Sequence, residues 1–313
     1  MPSMQPDINI NQKNTEEIGS QEMINSLPFF KAKISEQHRS KIDLMLKTPP
    51  KWSNIAYLLY NNNPDKAKDF LARILKISPE ASESEKTTEL LHILNEYSDH
   101  SVLHSEHVRD FFNDMNKLKN TVGFEAFRDI DFKELALSME MHDIGKLGMP
   151  DRILNNKVGI IYTKKDNKLK KVHPILGHHI LKALNYSEDS IRLALTHHLR
   201  YRTLPNGELV ITGYPKRNFL KYCKERGEKP ELKPEDHLAA FADVFSASTD
   251  PNRRSDLDGT HKKELTKKDI YDKAFKAMDE KYFSDPFYKS FPLYMAFKRA
   301  MAETLERELK AAA

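Results

Sequence analysis

Apolar residues recur at intervals of three and four along most of the chain, which is the spacing of amphipathic helices. From about residue 84 onward such segments follow one another, and the two-residue alternation typical of strands is almost absent. Strands are expected only as a small ribbon near Gly207–Tyr214. The pattern predicts an all-α fold, a helical bundle with a smaller N-terminal helical domain.

Changes in composition divide the chain into three parts. Residues 1–20 are polar and rich in Asn, Gln and Glu, so we expect a disordered lead-in. Residues 21–83 contain short helical pieces broken by prolines, which we interpret as a regulatory or dimerisation domain. Residues 84–313 make up the larger helical domain. Within it, the lysine-rich segment 155–171 is expected to form a solvated loop.

Charge and cysteine content exclude several classes of protein. The 313 residues carry 50 Lys and Arg against 46 Asp and Glu, and this net charge of +4 is too small to indicate binding to a nucleic-acid polymer. No run of 18 apolar residues occurs and the N-terminus lacks a secretory pattern, so we expect no membrane association. The single Cys223 excludes an intrachain disulfide and suits the cytoplasm, which is the expected location.

Histidines are concentrated in the middle of the chain, where nine of the 13 lie within residues 100–198. A helix that ends at Gly145 would turn His142 and Asp143 toward the core. A helix that continues through His198 would likewise turn His198 toward the core, with His197 beside it. Three further predicted helices carry His104, His173 and Asp243 on their apolar sides.

Five predicted helices therefore direct a His or an Asp into the core, where each polar group needs a partner. Separate His–Asp hydrogen bonds would explain any single helix. A divalent cation explains all five together, because imidazole nitrogen and carboxylate oxygen are ligands of iron, manganese and zinc. The sequence leaves the choice among these metals open.

Several segments, taken in their order, resemble one known family. They are HDIGKLGMPDRIL from His142, HPILGHHIL from His173, the His197–His198 pair, Gly-Tyr-Pro at 213–215 and the later Asp243. Over about residues 100–255 this set resembles the HD-GYP branch of the HD phosphohydrolase superfamily. The resemblance implies an all-helical bundle that holds two or three iron or manganese ions. It also implies hydrolysis of cyclic dinucleotides, chiefly cyclic di-GMP, to linear pGpG and sometimes GMP.

The resemblance also implies roles for individual residues. The expected metal ligands are His104, His142, Asp143, His173, His197, His198 and Asp243. Asp143 would bridge two ions, one held with His104, His142 and Asp243 and the other with His173, His197 and His198. A hydroxide shared by the ions would attack phosphorus. Lys146 would hold the phosphate and stabilise charge in the transition state, so Asp143 and Lys146 are the expected catalytic residues.

Departures from the family pattern leave parts of the substrate pocket open. Leu199 follows the His197–His198 pair where the family usually has Glu, and an inserted segment separates the pair from Tyr214. Tyr214 is therefore either a substrate contact or displaced from the pocket. The inserted residues are either further substrate contacts or parts of a solvated loop, and they include Arg200, Tyr201 and Arg202.

Further departures concern the metal ligands and the end of the motif region. The first ligand is either His104 or His107, and we favour His104 because it shares the apolar stripe of its helix. His100 stands where three-metal members have Glu, which favours two ions over three. Ser246 replaces an Asp that the family tends to have. Besides Lys146 and Tyr214, the residues expected to contact the substrate are Arg253 and Arg254.

Three hypotheses follow for the function. The first is a binuclear phosphodiesterase for a cyclic dinucleotide, in which the N-terminal domain mediates homodimerisation or contact with a signalling partner. The second is a catalytically degenerate relative that binds a cyclic dinucleotide or a partner protein, and the altered pocket motifs favour it. The third is a single-metal HD hydrolase for another nucleotide, against which the additional histidines count.

Overall fold

The structure of the chain is a computed structural model, which describes residues 77, 81–97, 99–149, 154, 163–250 and 266–312. The predicted lead-in, nearly all of the predicted N-terminal domain and the predicted substrate contacts Arg253 and Arg254 lie outside these residues. The domain boundaries and the roles of those two arginines therefore stay predictions.

Helices dominate the described residues, and the strands form one small hairpin, as predicted. The α-helices are α1 (Glu83–Tyr97), α2 (Asp99–Leu118), α3 (Phe132–Glu140), α4 (Lys164–Lys170), α5 (His173–Ala183), α6 (Glu188–Thr196), α7 (Lys216–Glu225), α8 (Pro234–Thr249), α9 (Lys267–Met278), α10 (Pro286–Lys289) and α11 (Pro292–Ala312). Shorter helical turns are 3₁₀ segments at Glu125–Phe127 and Ile144–Gly148 and a π-helix at Asp279–Phe283. Among the described helices, none combines the length and the apolar character needed to cross a membrane.

Side-chain caps fix where several helices begin. Asp131 accepts hydrogen bonds from the first backbone N–H groups of α3, and Ser187 does the same for α6. Thr163 and Thr266 form capping boxes at the starts of α4 and α9. Each cap satisfies donors that a helix leaves unpaired at its N-terminus, which stabilises the helix by about 1 kcal/mol.

The main core lies between α2, α3, α8, α9 and α11 and is largely aromatic. Phe241 of α8 is fully buried, and its ring centroid lies 4.9 Å from that of Tyr282 and 5.1 Å from that of Tyr294. Such edge-to-face contacts add to the free energy gained from burial alone. These contacts fix the turn of α8 that carries both Phe241 and Asp243.

The hairpin pairs β1 (Leu199–Thr203) with β2 (Leu209–Gly213) in antiparallel register, with Leu199 opposite Gly213. Leu199 and Ile211 are buried in a second cluster together with Phe219 of α7. This hairpin confirms the predicted ribbon. Because Leu199 pairs with Gly213, the end of the hairpin lies beside the residue that directly follows His198.

The helix predicted to continue to Gly145 is shorter, since α3 ends at Glu140. The Met139 carbonyl accepts hydrogen bonds from both the backbone N–H of His142, at 3.3 Å, and its Nδ1, at 2.6 Å. These bonds replace the regular helical pattern by a tight turn. His142 and Asp143 therefore lie between α3 and the following 3₁₀ segment.

Two other predictions about local structure also need correction. The helix predicted to carry His198 ends at Thr196, one residue before His197, whose backbone N–H still makes the helical bond to the Leu193 carbonyl and whose Nδ1 lies 3.1 Å from the same oxygen. The lysine-rich segment 155–171 contains α4 rather than being a loop throughout, and the Thr163 cap explains where that helix begins.

Candidate metal centre

Seven buried or nearly buried side chains converge in two neighbouring groups. The first group consists of His104, His142, Asp143 and Asp243, and the second of His173, His197 and His198. Within each group, one candidate ligand atom per residue lies within 4.8 Å of all the others. The structure thus brings together the seven residues that the family resemblance implied as metal ligands.

The carboxylate of Asp143 lies between the two groups. Its Oδ1 is 3.2 Å from His173 Nε2 and 3.9 Å from His197 Nε2. Its Oδ2 is 3.4 Å from His142 Nε2 and 3.7 Å from His104 Nε2. One oxygen therefore faces each group, which is the arrangement of a carboxylate that bridges two cations.

Four imidazoles are oriented in the same way, with Nδ1 held by an oxygen and Nε2 pointing into the centre. The pairs are His142 with the Met139 carbonyl at 2.6 Å, His173 with the Lys170 carbonyl at 2.6 Å, His197 with the Leu193 carbonyl at 3.1 Å, and His104 with the Ser246 hydroxyl at 3.0 Å. A carbonyl oxygen only accepts, so Nδ1 carries the proton in three of them. The neutral ring then offers its Nε2 lone pair to a ligand.

The Nε2 atoms of His173 and His197 face each other as two acceptors, because both rings carry their proton on Nδ1. His173 Nε2 is 3.1 Å from His197 Nε2 and 3.2 Å from His198 Nε2. In the first group, His142 Nε2 is buried and makes no hydrogen bond. Lone pairs that face each other, and a buried polar atom without a partner, are both unfavourable. A divalent cation in each group would remove both problems, so the residues fit a metal centre.

Comparison with known proteins agrees with this geometry. Residues 97–248 match the family described as HD domain. This part of the chain belongs to the HD domain family. The match confirms the superfamily that the sequence motifs resembled, and it includes all seven converging residues.

One relative of the HD domain is the cyclic di-GMP phosphodiesterase of Thermotoga maritima, which is 29% identical over 170 residues. That match covers 51% of this chain and 44% of the relative, so the chain spans less than half of the relative's length. The crystal structure of the HD domain of the phosphodiesterase PgpH from L. monocytogenes has a TM-score of 0.47 and 17% identity, covering 70% of this chain and 98% of that one. Its complex with cyclic-di-AMP has a TM-score of 0.45 and 16% identity, with coverage of 69% and 96%.

The charges at the centre of the HD domain favour a cation. Burial on its own would raise the pKa of Asp143, but Lys146 and His142 hold it well below its ordinary value. Burial would likewise raise the pKa of Asp243, but His198 and His104 hold it well below its ordinary value. Burial lowers the pKa of His104 and of His198 to about 4. Two ionised carboxylates thus lie beside the neutral imidazoles of His104 and His198.

His142 differs from the other imidazoles. Burial acts to lower its pKa, but the carboxylates of Asp143 and Asp243 raise it to about 9. These carboxylates therefore favour positive charge at the position of His142 Nε2. A divalent cation at the first group supplies such charge without requiring a proton there.

Two glycines allow the ligand-bearing segments to approach closely. A Cβ atom at Gly145 would lie 1.9 Å from the backbone oxygen of His173. Gly213 has φ +98°, and a Cβ atom there would lie 2.2 Å from the backbone oxygen of His198. Any larger residue would push apart the segments that carry the imidazoles.

Tyr214 lies beside the second group, so the inserted hairpin does not displace it. Its ring centroid is 4.5 Å from that of His198 and 6.4 Å from that of His173. The ammonium of Lys171 is 5.7 Å from the same ring. The pairing of Leu199 with Gly213 explains this position, because it brings the start and the end of the hairpin together.

Other residues singled out in the sequence lie elsewhere. His107 is exposed on α2, so His104 is the histidine of that helix in the centre. Tyr201 packs against the core, and its hydroxyl accepts a hydrogen bond from the backbone of Leu232 at 3.1 Å. Arg202 is exposed. The side chain of His100 lies outside the described part of the structure, which leaves the three-metal alternative as an expectation.

Ser246 contacts one of the converging histidines and was noted in the sequence only as a departure from the family pattern. Its hydroxyl lies 3.0 Å from His104 Nδ1 and orients that ring toward Asp243. The nearby Nε2 of His104 lies 3.1 Å from Asp243 Oδ1. The spacing of three residues between Asp243 and Ser246 puts both on one face of α8, and that signal was available in the sequence.

A buried ion pair fixes the end of α6 and was missed entirely. Arg192 donates to Asp236 through Nε at 3.1 Å, and Asp236 also accepts a hydrogen bond from the Thr196 hydroxyl. Thr196 directly precedes His197. The pair therefore connects α6 to α8 immediately before the first histidine of the second group. Removing one partner from such a buried pair costs about 3–5 kcal/mol.

Proposed function

We propose that the HD domain is a metal-dependent phosphodiesterase of the HD-GYP type that hydrolyses cyclic di-GMP to linear pGpG and GMP. The observation that carries the proposal is the position of Asp143, which directs one carboxylate oxygen toward each group of imidazoles. The motifs shared with the HD-GYP branch and the name of the Thermotoga maritima relative support the choice of substrate.

Two divalent cations, iron or manganese with zinc as the alternative, would activate water and offset the negative charge of a phosphodiester. The seven converging side chains would hold them, with Asp143 shared. The hydrogen bonds to Nδ1 keep the imidazole rings in place before a metal arrives. Because the rings are already oriented, metal binding would cost little side-chain conformational entropy.

The reaction balances as a hydrolysis. A water molecule gives up one proton as its oxygen bonds to phosphorus, the bond from phosphorus to the 3′-oxygen breaks, and the leaving oxygen gains one proton, so that one water is consumed for each bond cleaved. Lys146 supplies positive charge for the phosphate, since its ammonium lies against Asp143 Oδ2 at the edge of the centre. Once cations offset the charge of Asp143, this ammonium is available to a phosphate oxygen.

Tyr214 offers an aromatic surface beside the second group. Its ring is partly exposed and lies next to that of His198. Guanine stacks well on tyrosine, with a gain of about 1–3 kcal/mol per base. We therefore assign Tyr214 to a base of the dinucleotide, next to the phosphate that reacts.

The test is product analysis in metal-replete protein purified without oxygen. Cyclic di-GMP is incubated with the wild type and with Lys146→Ala, and linear products are separated by chromatography. We expect pGpG from the wild type, followed by GMP, and turnover at least tenfold slower from the variant with an unchanged metal content. His107→Ala, an exposed histidine on α2, is the matched control and should keep full turnover.

Other outcomes would replace the proposal. Saturable binding of cyclic di-GMP without any linear product would identify a binding module that has lost catalysis. One ion per chain together with hydrolysis of a different nucleotide would identify a single-metal HD hydrolase. Loss of metal from Lys146→Ala would contradict the role given to that lysine.

A further inference from the structure

The buried carboxylate of Asp236, in the first turn of α8, contacts α6 as well as its own helix. It accepts hydrogen bonds from Arg192 Nε at 3.1 Å and from the Thr196 hydroxyl at 2.5 Å, both on α6. It also accepts a hydrogen bond from the backbone N–H of Lys233 at 2.8 Å, at the start of α8. One carboxylate therefore joins the end of α6 to the beginning of α8.

The same two segments of the chain meet again at the metal centre. Asp243 follows Asp236 by seven residues, which is two helical turns, so both carboxylates lie on the same side of α8. His198 follows Thr196 by two residues, and its Nδ1 lies 3.3 Å from Asp243 Oδ2. The contact between Asp236 and Thr196 therefore defines where the histidines that follow Thr196 stand relative to Asp243.

Arg192 is itself fixed from three sides, so it allows the carboxylate of Asp236 little freedom to move. Its Nε lies 3.2 Å from Oδ1 and 3.1 Å from Oδ2 of Asp236, and its Nη2 donates to the backbone carbonyl of Glu231 at 2.8 Å. The guanidinium carbon lies 5.3 Å from the centre of the Phe219 ring of α7. The rigid fork of a guanidinium makes such an arrangement directional.

A second ion pair joins α6 to the start of α8 at the surface, and it provides a contrast. Lys233 Nζ lies 4.0 Å from Asp189 Oδ1, and the two side chains are 55% and 59% exposed. Surface pairs of this kind contribute little to the free energy of folding, because water screens them. The relative position of the two helices therefore depends on the buried contacts of Asp236.

This relative position matters for metal binding. A cation accepts only a narrow range of distances to its ligands. A small shift of the residues after Thr196 would move His197 and His198 of the second group away from Asp143, which both groups share. The first group contains no residue of this segment, since its ligands come from α2, from α8 and from the turn after α3.

We propose that Asp236 and Arg192 are positioning residues of the metal centre. Through Thr196 they hold His197 and His198 at the place where the second group binds its cation. The inference rests on the proposed function, because it requires a cation in the second group. It goes beyond it by assigning the affinity for that cation to a buried pair that lies outside the seven converging residues.

The test removes both partners of the pair while keeping their volume, in Arg192→Met/Asp236→Leu. Apolar replacement of a buried ion pair often leaves the stability of a protein unchanged or raises it, so thermal unfolding of the metal-free variant should resemble that of the wild type. In calorimetry with Mn²⁺ we expect an unchanged Kd for the first ion and a Kd about tenfold higher or more for the second. The Mn²⁺ concentration that gives half-maximal turnover of cyclic di-GMP should rise by the same factor.

Smaller changes test the same contact if the double variant does not fold. Thr196→Val removes the hydroxyl that reaches Asp236 but leaves the pair with Arg192, and it should weaken binding of the second Mn²⁺ several-fold. Thr196→Ser keeps the hydroxyl and should bind Mn²⁺ like the wild type. Asp189→Ala is the matched control, because it removes the exposed ion pair between the same helices and should change neither affinity.

The outcomes separate the positioning role from the proposed reaction. Wild-type affinity for the second ion in both the double variant and Thr196→Val, or equal weakening of both ions, would overturn the positioning role. If the wild type binds two Mn²⁺ ions without hydrolysing cyclic di-GMP, the proposed reaction is wrong and the affinity for the second ion still decides the role of Asp236. If the wild type binds no second Mn²⁺ ion, both proposals are wrong.

Discussion

The two groups of the metal centre differ in charge and in contact with solvent. The first group combines two imidazoles with two carboxylates, and the side chain of His142 within it is 0% exposed. The second group has three imidazoles and faces one oxygen of Asp143. It includes His198, whose side chain is 15% exposed and whose Nδ1 lies 3.3 Å from Asp243 Oδ2. More negative charge and deeper burial predict tighter cation binding at the first group. The second group faces Tyr214 and is the more accessible to substrate.

Removal of the shared carboxylate should have the largest effect, because it weakens both groups at once. In Asp143→Ala we expect most of the metal to be lost and turnover of cyclic di-GMP to fall about 1000-fold or more, the factor that corresponds to several kcal/mol. Elemental analysis and product assays check this. Turnover at the wild-type rate would show that Asp143 has no part in the reaction.

Variants in the separate groups should remove different ions. Asp243→Asn should empty mainly the first group and His197→Ala mainly the second, so that each protein keeps about one ion per chain. Turnover should fall about 100-fold or more in both, because neither ion alone holds and activates the substrate. Metal titrations check the prediction, with His107→Ala as the exposed control. Simultaneous loss of both ions in each variant would mean that the groups do not bind independently.

Much of this centre was predictable because ligands occupy apolar stripes. His104 and Asp243 lie inside helices, where the spacing of three and four residues indicates which side faces the core. His142 and His197 lie in the two groups although the predicted helices were too long. At His142 the ring Nδ1 takes the Met139 carbonyl, which would otherwise continue the helix, and sequence periodicity carries no signal for that competition.

The surroundings of the centre were less predictable, because they depend on contacts between distant segments. Tyr214 lies beside the second group because the hairpin pairs Leu199 with Gly213. The length of the segment inserted after His198 does not reveal this register.

A smaller effect is expected where a hydrogen bond orients one ligand. In Ser246→Ala the His104 ring loses the partner of its Nδ1, so metal affinity at the first group should fall about 10- to 100-fold while the second group is unaffected. Competition with a chelator of known affinity measures the change. Ser248→Ala is the matched control, because that hydroxyl bonds the Val244 carbonyl within α8 at 2.8 Å. Equal effects of the two substitutions would contradict the orienting role.

The smallest effect should come from the aromatic surface at the second group. Tyr214→Leu should raise KM for cyclic di-GMP about tenfold with metal content unchanged, whereas Tyr214→Phe should keep nearly all of the affinity. Steady-state kinetics with both variants check this. A large loss for Tyr214→Phe would point to a role for the hydroxyl rather than for the ring.

Metal content per folded chain tests the central claim most directly. Protein purified without oxygen and loaded with iron or manganese should bind about two ions per chain, the first more tightly than the second, and Asp143→Ala should bind almost none. Folded wild-type protein that takes up no divalent metal, or that binds it equally well without Asp143, would contradict the account.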